Sequence, residues 1–179
     1  MNVFVKKGML AETKSQAVIL TLFEDGKKLS GIALEIDKKS GGLISKLMAD
    51  GDFEGKASQV AVAYSCGNLP SKRIALVGLG KQKEFNLEKL RAAFAKVMRH
   101  LRGMNVKEAS TSVNLNLIPG KKDQIVQAAV EGALLGLYQY TPYKTVGREE
   151  FKEMDEFNII ADAKEYAVIE PSVKKAKII

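Results

Sequence analysis

The stretch RIALVGLGKQKEFNLEKLRAAFAKVMRHLR, residues 73–102, decides the fold. Its first part, Ile74 to Val77, is wholly apolar, and Arg73 to Val77 reads as a central strand buried on both faces. Gly78-Leu79-Gly80 ends that strand. Asn86 then suits a helix N-cap, because its side-chain oxygen can accept an otherwise orphaned backbone N–H. From there to Arg102, Leu87, Leu90, Phe94, Val97, Met98 and Leu101 fall on one stripe, with charges opposite. Gly103 is a fitting stop. A buried strand, a tight turn and an amphipathic helix in this order are the unit of an α/β fold.

The flanking sequence extends the same pattern. Residues 2–6 and 16–23 are rich in β-branched and aromatic side chains and predict two strands. Residues 24–27, EDGK, mark a turn leading to a further short strand. Leu43, Ile44, Leu47 and Met48 have helical spacing, with Gly51 just beyond. Ala57 to Ser65 predicts a strand, as do Val106 to Leu117, closed by Pro119-Gly120, and Asp155 to Ala161. Lys121 to Leu137 predicts a second long helix. Gly132 and Gly136 weaken that helix intrinsically and make sense if the backbone packs closely there. The last stretch, with Pro171, Lys174, Lys175 and Lys177, reads as a linker or the start of a following helix. Strands alternating with helices predict a mixed sheet with helices on its faces.

Composition sets the outer bounds. The 179 residues suit one compact domain, and 46% hydrophobic with 27% charged residues fits an ordinary globular chain. Cys66 is the single cysteine, so no internal disulfide forms and a reduced, cytoplasmic setting is expected. The first residues lack the apolar run of a leader, and no membrane span is predicted. The net charge of +7 is concentrated. Between Lys72 and Lys107 ten basic residues face two acids, Glu84 and Glu88. Such an excess suits either a solvated helix face or a nucleic-acid partner.

Several places could carry chemistry. Gly78-Leu79-Gly80 sits where phosphates bind, but Lys83 replaces the third glycine of a dinucleotide fingerprint, so a tight turn is the plainer explanation. Asp50-Gly51-Asp52-Phe53-Glu54-Gly55 begins like a calcium loop, yet Ala61 stands where the bidentate glutamate belongs, which favours a solvated turn. His100 is the sole histidine and is expected on the helix surface; Cys66 is expected as a buried structural thiol. A Cys66–His100 pair would make a small thiol enzyme, but nothing in the sequence brings the two together. Tyr138, Tyr140 and Tyr143 with Pro142 could stack on bases, and more simply pack a helix end against the sheet. No catalytic, cofactor-binding or metal-ligating residue is therefore assigned.

Two stretches resemble the N-terminal domain of the leucyl (cytosol) aminopeptidase family. One is RIALVGLGK, residues 73–81, followed by FNLEKLR, residues 85–91. The other is AVEGALLGLYQY, residues 129–140, followed by Tyr143-Lys144; Tyr140 stands where phenylalanine is commoner. The similarity spans roughly residues 15–165. It implies a macro-domain-like three-layer α/β/α sandwich over 1–163, with 164–179 a connector toward an absent catalytic domain. Such a parent would remove N-terminal residues, often leucine, from peptides, using two divalent metals, zinc or manganese, held by lysine, aspartate and glutamate ligands of the C-terminal domain. The signature Asn-Thr-Asp-Ala-Glu-Gly-Arg of that domain is absent from this chain. The implied role is a non-catalytic, cofactor-free domain whose partners are its own catalytic domain and the other subunits of a cytoplasmic hexamer. The alternative is a free-standing macro-like module that binds nucleic acid or ADP-ribose.

Overall fold

The structure is a computed structural model describing residues 1–26, 28–112, 118–139 and 152–178. Six strands form one sheet: β1 (Asn2–Lys7), β2 (Ala17–Leu22), β3 (Val60–Tyr64), β4 (Arg73–Gly78), β5 (Glu108–Thr111) and β6 (Glu156–Ala161). Their spatial order is β1-β6-β5-β2-β4-β3, with every pair parallel except β3 against β4. The helices are α1 (Gly31–Lys39), α2 (Leu43–Ala49), α3 (Leu87–Gly103), α4 (Lys122–Leu137) and α5 (Tyr166–Ala176).

Strand alternation builds two apolar layers. Ala75 and Val77 of β4 face α3, α4 and α5, joining Phe94, Met98, Ile125, Val130 and Ile169. Ile74 and Leu76 face the other way, toward Ile36 of α1, Ile44 of α2 and Phe53. The result is a three-layer α/β/α sandwich on a mixed sheet, and β4 is buried on both faces as its apolar run predicts.

The 73–102 stretch folds as read. Asn86 caps α3, its Oδ1 accepting the Lys89 N–H at 2.9 Å. Leu90, Phe94, Val97, Met98 and Leu101 are buried, and Ala93 joins them. Other expectations change. The stretch after the 24–26 turn forms α1, not a strand. Ile32, Ala33 and Ile36 fall at i, i+1 and i+4, a helical spacing that turns one apolar face to the core. The buried Asp37 carboxylate accepts the Ile44 N–H (2.8 Å), the Ser45 N–H (3.0 Å) and the Ser45 hydroxyl (2.6 Å), so α1 caps the start of α2. The strand expected over 106–117 covers Glu108–Thr111, and residues 113–117 lie outside the described residues. The last stretch is the helix α5. Pro171 removes one donor inside it, but buried Ile169, Val173 and Ala176 hold it on the core.

A close backbone approach joins α3 and α4. A methyl group at Gly132 would collide with the Arg91 carbonyl oxygen, and one at Gly136 would collide with the Ala95 backbone. Glycine at both positions lets the helix axes draw together. Beside this contact, the Arg91 Nε donates to Glu131 Oε2 at 2.6 Å, and the Gln127 amide donates to Glu131 Oε1 at 2.6 Å. Arg91 also reaches Glu88, which is exposed.

Gly132→Ala and Gly136→Ala should therefore each destabilise the chain by about 1–3 kcal/mol, although alanine is the better helix former by about 1 kcal/mol. Gly103→Ala, where a methyl meets nothing within 4 Å, is the control and should be neutral or stabilising. Urea midpoints check this, and neutral results at both Gly132 and Gly136 would refute the close-packing account.

Candidate functional site

The parallel topology leaves one natural cleft. From β2 the chain passes through α1 and α2 toward β3 and β4 on one side, then returns through α3 to β5 on the other. Connections that diverge in this way open a crevice beyond the carboxyl ends of the strands. A cavity of about 180 Å³ lies there. Leu20, Leu22, Phe23, Ile32, Met48 and Ile118 supply apolar walls, while Thr21, Lys28, Ser30, Gln82 and Ser112 supply polar groups. Nearby, the Asp25 carboxylate accepts the Gln82 N–H at 3.1 and 3.2 Å, tying the β2 and β4 exits together. This lining could hold a small, largely apolar ligand. Among the described residues it contains no nucleophile paired with a base.

The other candidates resolve into architecture. All three N–H groups of the Gly78–Gly80 turn are consumed by neighbouring backbone. Gly78 donates to Gln59 O, Leu79 to Leu22 O and Gly80 to Gly55 O, each at 2.9 Å. A side chain at Gly78 would run into the Lys56 carbonyl, and Gly80 has a φ of +74°. The turn is therefore a three-way junction of backbone with no amide free to cradle a phosphate.

The 50–55 loop is likewise closed from within. The Gln59 Oε1 accepts the Glu54 N–H (2.9 Å) and the Lys56 N–H (3.3 Å), and Phe53 is buried. The Glu54 carboxylate pairs with Lys56. Hydrogen bonding and attraction from Glu54 hold that ammonium above the ordinary lysine value of 10.5. The carboxylate thus faces a lysine, and no group of three or more His, Cys, Asp or Glu side chains suited to a metal occurs among the described residues.

His100 is exposed on α3 as expected. Cys66 is not buried: its thiol is exposed in the turn between β3 and β4. Ser65 and Leu69 take the inward positions, and a φ of 51° turns Cys66 outward. Its Sγ lies 3.6 Å from the Tyr64 carbonyl, and no hydrogen bond among the described residues joins it to His100. Tyr138 does not pack against the sheet either, being 72% exposed. The buried stripe of α4 ends at Ala133, one turn before it. Tyr140, Pro142 and Tyr143 lie outside the described residues.

The basic excess of residues 72–107 is dispersed. Arg91 is bound to Glu131, Arg102 to the Leu137 carbonyl, Lys89 to Glu84, and Lys107 to the Glu153 carbonyl. Arg73 lies over the Tyr64 ring. Among the exposed cations, Lys72 precedes β4 and Lys81 follows it, so they stand at opposite ends of one strand.

The link between Arg91 and Glu131 is not visible in either segment alone. The only sequence signal was that each segment resembles the same family.

Comparison with known proteins agrees with this arrangement. Residues 18–146 match the family model described as "Cytosol aminopeptidase family, N-terminal domain". A probable cytosol aminopeptidase of Alkaliphilus oremlandii is 30% identical over 162 residues, 89% of this chain and 32% of that protein. The chain thus spans about a third of the length of that relative. A tomato leucine aminopeptidase variant superimposes with a TM-score of 0.79 at 16% identity, covering 99% of this chain and 35% of the other. The macrodomain of Mycobacterium tuberculosis DarG gives 0.65 at 14% identity, covering 88% of this chain and 97% of that one. The α/β sandwich is thus macro-domain-like.

An exposed thiol has a direct consequence. Cys66 in the folded protein should react stoichiometrically with a thiol reagent, at about the rate seen in denaturant. Labelling that required denaturant would restore the buried position.

Proposed function

Since the chain belongs to the cytosol aminopeptidase family, whose N-terminal domain its residues 18–146 match, we propose that it serves such an enzyme as its non-catalytic N-terminal domain. The observation that carries this reading is that match, together with a span of about a third of the relatives' length. The parent removes N-terminal amino acids, often leucine, from peptides in the cytoplasm. Among the described residues no helix is long and apolar enough to cross a membrane.

The domain proper runs over residues 1–163, and residues 164–179, whose helix α5 packs back on that domain, lead toward the catalytic domain. Two divalent metals, zinc or manganese, belong to that catalytic domain. The described residues do not fit them, since no group of three or more His, Cys, Asp or Glu side chains is gathered among them, and Asp37, Glu131 and Glu54 are bonded to other partners. No chemical step is therefore routed through this domain. Its work is to fold, to pack against the catalytic domain, and to contact other subunits of a hexamer.

A second reading, a macro-like module that binds ADP-ribose, would have to seat that ligand in the cleft beyond β2 and β5, whose small and largely apolar lining suits it less well. Calorimetry separates the two: saturable heat with ADP-ribose supports the module, and its absence removes it.

Supplied with zinc or manganese, the 179-residue chain should release no leucine from a leucyl peptide above the buffer rate. A longer chain carrying the catalytic domain should release it. Amino-acid release by the short chain would overturn the proposal.

A further inference from the structure

An apolar surface that the fold itself does not use lies at the β1 edge of the sheet. There a groove is lined by Met1, Val3, Leu134, Leu135, Tyr138 and Lys177. Leu135 is 56% exposed, Tyr138 72% and the adjoining Ile178 85%. Large apolar side chains gathered in one place, rather than scattered, mark a surface that another body covers. The backbone repeats the message. β1 is the end strand of the sheet and is paired only with β6, so its outer edge is open. The α4 stripe explains the cluster: its residues are buried as far as Ala133, and the helix then runs on for one more turn carrying Leu134, Leu135 and Leu137.

The position of the chain's exit selects the occupant. α5 ends at Ala176, Lys177 lines the groove, and its Nζ lies 5.8 Å from the centre of the exposed Phe4 ring of β1. Any polypeptide that follows Ile178 therefore leaves the fold beside this groove. The relative with which the chain aligns is about three times as long, and the match is to the N-terminal domain. A tethered neighbour is held at a very high effective concentration, so a modest apolar patch suffices to dock it.

We propose that the Met1–Leu135–Tyr138 groove is the seat of the catalytic domain of the same polypeptide, covered by it in the full-length enzyme. The inference rests on the reading of the chain as an N-terminal domain and adds the surface through which it acts. The opposite edge of the sheet, with exposed Tyr64, and the exposed Met9 after β1 stay open to solvent in that arrangement.

Hydroxyl-radical footprinting with mass spectrometry tests this, because Met and Tyr side chains are oxidised in proportion to their exposure. The 179-residue chain is compared with the full-length chain. Oxidation of Met1 and Tyr138 should fall several-fold in the full-length chain, while Met9 and Tyr64 react equally in both. The double variant Leu135→Asp with Tyr138→Asp should leave the unfolding midpoint of the 179-residue chain unchanged, since both side chains are exposed. In the full-length chain it should restore oxidation of Met1. Equal oxidation of Met1 and Tyr138 in the two proteins overturns the proposal. So does protection that weakens on dilution, which would assign the groove to a second copy. The underlying reading fails separately: a full-length chain that releases no amino acids defeats it, whatever the groove shows.

Discussion

The contact between α3 and α4 is the constraint on which the rest of the molecule depends. Gly132 and Gly136 bring the α4 backbone against Arg91 and Ala95, closer than any side chain would allow. That approach seals Leu90, Phe94, Val97, Ile125, Ala129 and Ala133 over one face of the sheet. It also fixes a charged pair. Glu131, one residue before the first glycine, meets the side chain of the same Arg91 whose carbonyl the glycine faces. Gln127 occupies the other carboxylate oxygen, so the carboxylate is bonded on both oxygens. Steric fit and ion pairing thus select one register of the helices, and α5 completes the layer by packing on α4 and β1.

This contact also explains why the two stretches that resemble a family occur together. Arg91 lies in one and Glu131-Gly132 in the other, 40 residues apart in sequence, and they meet at one point. Their pattern is one of helix packing, and no reacting group is involved. The glycine turn at 78–80 belongs to the same logic. It resembles a phosphate loop in sequence, yet its three amides bind the backbone of the 22, 55 and 59 positions. In this domain the glycines admit neighbouring protein backbone where a ligand might have been expected.

What could be foreseen follows from range. Local signals were sufficient for β4, the Asn86 cap and the α3 stripe, since each depends on residues a few positions apart. The close-packing role of Gly132 and Gly136 was also legible, because glycine inside a helix has few other justifications. Long-range bonding was not. The Asp37 carboxylate of α1, which replaces an expected strand, caps α2 through amides seven and eight residues on. The left-handed backbone at Cys66 put the thiol outside, where hydrophobicity alone placed it inside. The cleft beyond β2 and β5 needs four separate segments and a strand order, and no single window of sequence contains them.

The Arg91–Glu131 pair is a coupled structural lock. A double-mutant cycle tests that most directly: Arg91→Ala, Glu131→Ala and the combination, each unfolded in urea. The two residues should couple by about 1–3 kcal/mol, with the double variant less destabilised than the sum of the singles. Strict additivity of the two substitutions would contradict it.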